Sequence, residues 1–152
     1  FREAFGKING YFGDCYEKLF GGGQARLRIQ DENHILESGI EIEVQPPGKK
    51  MRNLSLFSGG ERALTVIALL FALLTYQPAP FVILDEIDAP LDETNIDRFA
   101  QFLKAYGQKT QFIVITHRKG TMEAADVLHG VTMEESGVSR VLSVKLSEVP
   151  ES

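Results

Sequence analysis

The chain has 152 residues, of which 43% are hydrophobic and 24% are charged. This length and balance are ordinary for one globular domain that buries a core. The formal net charge of −5 does not favour nucleic acid, so a DNA contact would need a local basic patch or a partner surface. A single cysteine, Cys15, excludes an internal disulfide. It indicates a buried structural thiol in a reducing, cytoplasmic setting.

The most apolar stretch of the sequence predicts a core helix. It covers residues 63–74, which is shorter than the ~20 residues that a membrane span needs, so we expect no membrane segment. No secretory h-region opens the chain, and the sequence starts on an amphipathic pattern without an initiator Met. We interpret it as a piece of a longer protein.

The first twenty residues predict a helix with one apolar face. The apolar residues at helical spacing are Phe1, Phe5, Ile8, Phe12, Cys15 or Tyr16, and Leu19. Glycines at positions 6, 10 and 13 weaken this helix by about 1 kcal/mol each relative to alanine. We therefore expect it to depend on tertiary contacts or on a coiled coil that continues it. The glycine run at 21–23 then ends it.

Two pairs of strands of different kinds are predicted. Residues 25–29 and 40–44 alternate apolar and polar side chains, as half-exposed strands do. Residues 81–84 and 112–115 are continuously apolar, and a helix whose apolar face ends at Tyr106 separates them. This order predicts a βαβ unit with a partly parallel sheet, flanked by helices and covered on both faces. The fold class is therefore α/β.

Glycines mark two further features of the chain. Gly107 is predicted to close the helix of the βαβ unit in the C′ position. Residues 127–133 and 139–146 lie on either side of Glu135-Ser136-Gly137. This arrangement predicts a hairpin of small antiparallel strands, with Gly137 in the left-handed turn position.

Ser58-Gly59-Gly60-Glu61 is the first motif that carries chemistry. Ser58 and Glu61 at this spacing form a capping box ahead of an apolar helix, and capping alone explains both. It does not explain Gly59 and Gly60, which weaken the first helical turn by roughly 1 kcal/mol each. Bare amides at a helix N-terminus bind anions. Phosphate binding and simple capping therefore stand as equal alternatives.

An acidic pair and a histidine follow two of the predicted strands. Asp85 and Glu86 come after four apolar residues, at the strand end where open α/β sheets bind ligands. Such neighbouring acids would gain from Mg²⁺, and one could orient or deprotonate a water. The alternative is that the pair only ends the strand. His117 directly follows the next strand, so its imidazole should lie at the same edge and reach a phosphate oxygen or a water.

The connector Asp88-Ala89-Pro90-Leu91 precedes Asp92, which is predicted to be the N-cap of the next helix.

The sequence lacks a phosphate-binding loop. No phosphate-binding G-x-x-x-x-G-K-[ST] loop occurs in these 152 residues. The chain can therefore present chemistry to ATP, but we expect that it cannot hold ATP alone.

Four segments together resemble the signature motif, Walker B motif, D-loop and switch histidine of the ABC-type ATPases. They are Phe57-Ser58-Gly59-Gly60-Glu61, Val82-Ile83-Leu84-Asp85-Glu86, Ala89-Pro90-Leu91-Asp92 and Thr116-His117. Glu61 and residues 45–50 and 112–123 further resemble the C-terminal head of a bacterial SMC (structural maintenance of chromosomes) protein. The resemblance covers essentially the whole chain.

The resemblance implies that two heads sandwich two ATP molecules. Ser58 and the amides of Gly59 and Gly60 in one head would face the γ-phosphate of ATP held by the Walker A loop of the other head. Asp92 would couple the two sites across the interface. On this interpretation Gly59 and Gly60 are glycines because a ligand must approach their backbone amides.

The same resemblance implies the hydrolytic chemistry. Asp85 would support Mg²⁺ through water, Glu86 would be the general base for the attacking water, and His117 would sense the γ-phosphate. The implied cofactors are ATP and Mg²⁺. The complete head dimer would be an ATPase, and this chain alone, without a Walker A loop, is expected to be inactive.

The implied architecture is the C-terminal half of an ABC-type head, with residues 1–20 as a coiled-coil root helix and residues 21–152 as the C-terminal lobe. The implied partners are the N-terminal half of the same head, a second head, a kleisin subunit near residues 127–146, and DNA in the full complex. The function would be head engagement in chromosome condensation and segregation, in the cytoplasm at the nucleoid. Two alternatives stay open: a non-catalytic kleisin-binding module, and a head fragment of a Rad50- or RecN-like DNA-repair ATPase.

Overall fold

The structure of the chain is a computed structural model that describes residues 1–135 and 137–145. Its elements in chain order are α1 (Arg2–Phe20), β1 (Gln24–Ile29), β2 (Ile40–Gln45), β3 (Arg52–Asn53), a 3₁₀ turn (Leu54–Leu56), α2 (Gly59–Tyr76), β4 (Phe81–Asp85), α3 (Glu93–Tyr106), β5 (Gln111–Ile115), α4 (Lys119–Glu123), β6 (Val127–Glu135) and β7 (Val138–Lys145). The strands form a three-stranded antiparallel sheet, a parallel pair and an antiparallel hairpin. The predicted α/β class is confirmed.

The helix predicted over the first twenty residues is confirmed as α1. It ends at Phe20 because Gly21 takes the left-handed conformation, with φ 69°. The apolar face of α1 is fully buried only from Phe12 onward, whereas Phe1 is 58% exposed. The second half of α1 therefore belongs to the same core as the rest of the chain. A coiled-coil role for residues 1–20 stays a prediction.

The core lies where α1 packs against α2, β1 and α3. Phe12, Tyr16 and Leu19 are completely buried there, and Tyr16 stacks on Phe20 with ring centroids 4.1 Å apart. Burial raises the pKa of the nearby Cys15 thiol to about 11, so the thiol stays neutral and weakly reactive. The prediction of a buried structural thiol is confirmed.

The antiparallel sheet joins this core through one face. In the β1–β2 register Ala25 lies opposite Val44, and both residues are buried. The other face carries cross-strand ion pairs, such as that between Arg26 Nη2 and Glu43 Oε2 at 2.6 Å. Because exposed ion pairs contribute little, burial of the inner face is what stabilises this sheet. The two predicted half-exposed strands are confirmed.

α2 is longer than the apolar stretch that predicted it, because it begins at the capping box. It has 18 residues, and by length and composition alone it could cross a membrane. The expectation that this segment is too short for such a span is therefore wrong. Its buried residues, among them Leu64, Ile67 and Phe71, nevertheless pack in the core described above. The predicted core helix is confirmed.

β4 and β5 are parallel and α3 lies between them in the chain, which confirms the predicted βαβ unit. One face of the pair meets the core: Leu84 is buried, and the rings of Phe71 and Phe112 have centroids 5.6 Å apart. On the other face Ile83 and Ile113 lie opposite each other and are 58% and 46% exposed. The expectation of a sheet covered on both faces is wrong for this chain, because the described helices pack on one face only.

Gly107 and Gly137 have different conformations. Gly107 ends α3 with φ −61° and ψ −14°, and its amide still bonds the Leu103 carbonyl. The predicted C′ closure is therefore wrong. Gly137 has φ 84° and lies between β6 and β7, which pair antiparallel, so the predicted hairpin and its left-handed glycine are confirmed. Ser136 and residues 146–152 lie outside the described residues.

Replacement of Gly23 by alanine should destabilise the fold. Gly23 has φ +88°, and an added Cβ would overlap the backbone oxygen of Gln45, so we expect Gly23→Ala to lose more than about 1 kcal/mol. Gly10→Ala is the matched control, because Gly10 lies within α1 with open space at its Cβ position. It should gain about 0.5–1 kcal/mol. Urea unfolding measures both, and equal midpoints would contradict the expectation.

Candidate functional site

The carboxyl ends of β4 and β5 bring the predicted acidic pair and the predicted histidine together. Asp85 is the last residue of β4. The Glu86 amide donates to the Ile115 carbonyl at 2.9 Å, which extends the parallel ladder by one residue. Glu86 Oε1 and His117 Nδ1 are 3.9 Å apart, and both side chains are more than half exposed. The expectation that these side chains share one edge is confirmed.

Glu86 has a backbone conformation that side chains rarely adopt. Its φ of 49° is the one positive value among the described non-glycine residues. Two backbone hydrogen bonds hold it there: its amide donates to Ile115, and its carbonyl accepts from the Ala89 amide at 3.1 Å. Such a conformation costs of order 1–3 kcal/mol and clusters at functional sites. The backbone therefore favours a functional role for Glu86 over a simple strand end.

The predicted capping box closes the start of α2. Ser58 Oγ accepts from the Glu61 amide at 3.3 Å, and Glu61 Oε2 accepts from the Ser58 amide at 3.3 Å. The Ser58 hydroxyl also donates to Oε2 at 3.1 Å, while Lys49 Nζ donates to Oε1 at 2.8 Å. The bond from Lys49 holds the pKa of the Glu61 carboxyl below its usual range. The predicted capping box is confirmed, and the Ser58 hydroxyl is hydrogen-bonded to Glu61.

Gly59 and Gly60 have different surroundings. An added Cβ at Gly59 would meet nothing within 4 Å, whereas at Gly60 it would stand 3.3 Å from the Pro90 carbonyl oxygen. Close packing against Pro90 explains Gly60 without a ligand, and no short-range pattern could have predicted it. The amides of both glycines donate to no acceptor in the described part of the chain. They lie at the positive end of α2, where an anion can meet them.

Asp92 is the N-cap of α3, as predicted. Its Oδ1 accepts from the Asn95 amide at 2.9 Å, and its Oδ2 accepts from the Asn95 side-chain amide at 3.2 Å. Both carboxylate oxygens are therefore engaged within the helix that Asp92 caps. The coupling role that the resemblance implies for Asp92 stays a prediction.

A buried carboxylate, Asp88, lies behind this edge, and sequence reasoning did not identify it. Asp88 is 1% exposed, and its Oδ2 accepts from the Thr116 hydroxyl at 2.7 Å and from the Thr121 hydroxyl at 2.6 Å. The only signal in the sequence was one more acidic residue in an acidic connector. Its partners are 28 and 33 residues away, too far for any local pattern to link them.

The site offers the exposed carboxylates of Asp85 and Glu86, rather than a cluster of three or more ligands, to a metal ion. Across residues 1–135 and 137–145, no three His, Cys, Asp or Glu side chains gather so that they could hold a metal. Mg²⁺ commonly keeps several waters and takes one or two carboxylates together with substrate phosphates. The exposed carboxylate of Asp85 fits such an ion in the presence of a phosphate ligand.

Two apolar surfaces adjoin the site. An open groove of about 260 Å³ is lined by Ala63, Val66, Ile67, Leu70 and Ile87. The open face of β4 and β5 carries further apolar side chains that are 46–58% exposed, namely Phe81, Ile83, Ile113 and Ile115. Exposed apolar surface of this extent commonly marks an interaction face.

The chain matches known proteins over nearly its whole length. The family described as RecF/RecN/SMC N terminal domain matches residues 22–140. The chain is 62% identical over 151 residues to the Chromosome partition protein Smc of Bacillus subtilis (strain 168), covering 99% of this chain and 13% of that protein. The chain therefore spans about an eighth of the length of this relative.

Solved structures of similar proteins share the fold. One, from work on ATP-driven dimerization and DNA stimulated activation of SMC ATPases, has a TM-score of 0.86 at 42% identity, covering 96% of this chain and 88% of that one. The Smc head domain from Pyrococcus furiosus, bound to the C-terminal domain of ScpA, has a TM-score of 0.83 at 42% identity, covering 95% of this chain and 36% of that one. At these identities the likeness extends to sequence as well as fold.

Lys49→Gln should raise the pKa of Glu61, because the bond from Lys49 is the main cause of its lowering. A lowered folded-state pKa gives stability that is present above the unfolded value of about 4.3 and is lost as pH falls through the folded value. The variant should therefore be less stable at neutral pH and lose less on acidification. Carbon NMR titration of the Glu61 carboxyl and urea midpoints from about pH 7 to about pH 3 measure both effects.

Lys50→Gln is the matched control for this experiment. Lys50 is the neighbouring lysine and forms no ion pair in the portion of the chain that is described. We expect Glu61 to titrate in Lys50→Gln as it does in the parent chain. An equal shift of Glu61 in the two variants would show that the general positive charge of this loop, rather than the contact with Lys49, lowers its pKa.

Proposed function

The chain belongs to the RecF/RecN/SMC family, and we propose that it is the C-terminal half of an SMC ATPase head. It would supply the signature motif, Walker B residues, D-loop and switch histidine for ATP-dependent head engagement and hydrolysis in chromosome condensation and segregation. The observation that carries the proposal is the approach of Glu86 to His117, 3.9 Å apart, at the carboxyl edge of β4 and β5. The 62% identity to a chromosome partition protein favours this function over that of a Rad50- or RecN-like repair ATPase.

Hydrolysis would depend on Glu86 and His117. The exposed Glu86 carboxylate would accept the proton of the water that attacks the γ-phosphate, and a general base typically contributes about 10²–10⁴-fold. The His117 imidazole, at the same edge, would donate a hydrogen bond to a γ-phosphate oxygen. Glu86 and His117 would then both act at one phosphate from the same side.

Asp85 would hold Mg²⁺ through a water molecule. A single exposed carboxylate at the end of β4 suits an ion that takes its other ligands from substrate phosphates and water. When bound, Mg²⁺ neutralises the charge that develops on those phosphates. Because Asp85 and Glu86 are neighbours, one carboxylate would orient the ion while the other acts on the water.

The amides of Gly59 and Gly60 would bind the γ-phosphate of ATP held by a second head. They are unengaged in the described part of the chain, at the N-terminus of an 18-residue helix. Ser58 would contribute its hydroxyl only by giving up the 3.1 Å bond to Glu61. Binding of ATP would therefore replace the hydrogen bond from the Ser58 hydroxyl to Glu61 by a hydrogen bond to the phosphate. In the resulting dimer, Asp92 would couple the two sites.

The N-terminal half of the same head would cover the open face of β4 and β5. Ile83 and Ile113 are about half exposed there, and covering apolar surface of this kind is favourable. The family is named for an N-terminal domain. Our assignment to the C-terminal half rests instead on the order of the motifs and on the lack of a Walker A loop in these 152 residues. Residues 1–20 would root the coiled coil and residues 21–152 would form the lobe.

Kleisin binding is a second candidate function. The hairpin of β6 and β7 exposes apolar side chains, with Val131 71%, Val141 65% and Leu142 61% exposed. A similar Smc head domain is bound to the C-terminal domain of ScpA. An apolar ribbon of this kind suits a protein partner, so the isolated chain would act as a kleisin-binding module. DNA contacts and a location at the nucleoid would belong to the full complex in the cytoplasm.

Glu86→Gln in the full-length protein should keep ATP-driven head engagement and lower hydrolysis by about 10²- to 10⁴-fold, because glutamine cannot accept the proton of the attacking water. Steady-state phosphate release and cross-linking of engaged heads measure the two effects. Glu93→Gln is the control: Glu93 is an exposed acid in the first turn of α3, and its variant should turn over normally. Normal turnover in Glu86→Gln would reject Glu86 as the base.

Ser58→Arg in the full-length protein should leave ATP binding to a monomeric head intact and abolish head engagement. The bulky cation would stand where the α2 amides face the phosphate of the opposite head. Ser55→Arg places the same side chain on an exposed residue of the 3₁₀ turn and should still permit engagement. If Ser58→Arg loses ATP binding as a monomer, the signature motif does not act across a dimer.

A further inference from the structure

Asp88 is a buried carboxylate that the proposed hydrolysis does not use. It is 1% exposed, and it forms no ion pair in the described part of the chain. Burying a carboxylate is unfavourable unless other groups hydrogen-bond to it. The hydroxyls of Thr116 and Thr121 supply these bonds to the same oxygen, at 2.7 Å and 2.6 Å. Both threonines are therefore held firmly against Asp88.

One of these partners precedes His117 in the chain. Thr116 Oγ1 donates to Asp88 and also accepts from the Arg118 amide at 2.9 Å. The residues on both sides of His117 are thus fixed, Thr116 by Asp88 and Arg118 by Thr116. The His117 side chain itself comes no closer than 3.9 Å to Glu86 and has no hydrogen bond in the described chain. Its position therefore depends on this backbone turn.

The other end of the connection is the turn that carries Glu86. Asp88 lies two residues after Glu86, and its carbonyl accepts from the Leu91 amide at 3.0 Å. The Arg118 guanidinium donates to the Leu91 carbonyl. Two separate hydrogen bonds thus join this turn to the residues on either side of the histidine.

We infer that Asp88, through its hydrogen bond from Thr116, is a positioning residue that holds His117 in its place beside Glu86. The inference rests on the proposed function, because that function gives these two side chains their roles in hydrolysis. Without the Thr116 hydroxyl, Asp88 loses a donor and the Arg118 amide loses its acceptor. A displacement of about 1 Å at a reacting site can lower a rate about 10²-fold, so even a small shift of the imidazole should reduce turnover.

The test compares Thr116→Val with Thr121→Val in the full-length protein. Valine keeps the shape of threonine and removes its hydroxyl, so each variant deletes one bond to the same Asp88 oxygen. We expect a loss of thermal stability in both, and a larger one in Thr116→Val because the Arg118 amide also loses its acceptor. Thr116→Val should also lower kcat for ATP hydrolysis about tenfold at unchanged KM, whereas Thr121→Val should keep kcat within about twofold. Thr116→Ser, which retains the hydroxyl, should restore kcat.

A double-mutant cycle with His117→Ala distinguishes positioning from general disruption. If Thr116 acts through His117, Thr116→Val should have little further effect on kcat once the imidazole is absent. A full tenfold loss in the His117→Ala background would overturn the inference, and so would an equal loss of kcat in Thr121→Val. Should valine prevent folding at position 116, Thr116→Ala makes the same deletion with less bulk.

The same set of variants separates this inference from the proposed function. Parental turnover in both His117→Ala and Glu86→Gln would overturn the proposed function and, with it, the role given to Asp88. Impaired turnover in those two variants, together with parental turnover in Thr116→Val, would overturn the inference alone.

Discussion

The hydrogen bond from the Glu86 amide to the Ile115 carbonyl, 2.9 Å long, is the constraint on which the site depends. It continues the parallel pairing of β4 and β5 one residue past Asp85, at the point where the chain must turn away. Glu86 makes that turn with a positive φ. Because both strands end at the same level, the residues that follow them share one edge. The Glu86 carboxylate follows one strand, the His117 imidazole follows the other, and the buried Asp88 lies behind this edge.

Short-range patterns predicted much of this arrangement, because the features concerned depend on residues within one element. Alternation identified β1 and β2, and continuous apolar runs identified β4 and β5. The spacing of Ser58 and Glu61 identified the start of α2. The meeting of Glu86 and His117 followed from parallel pairing, since the carboxyl ends of such strands lie together.

The features that could not be predicted depend on contacts between distant parts of the chain. Ile83 and Ile113 are apolar and were expected to be buried, yet coverage of a sheet face is decided by what packs against it. Asp88 gained significance only when the fold placed Thr116 and Thr121 against its carboxylate. Nothing in the residues around Asp88 indicates hydroxyl partners that are 28 and 33 positions away.

The Pro90 carbonyl oxygen comes within 3.3 Å of the Cβ position of Gly60, and this contact has a mechanical consequence. The start of α2 and the turn over residues 86–92 lie so close that a methyl group at Gly60 would crowd Pro90, and packed protein is hard to compress. A molecule that pressed on the Gly60 amide would therefore push directly on the turn that carries Glu86. The backbone position of Glu86 would then respond to contact at the start of α2.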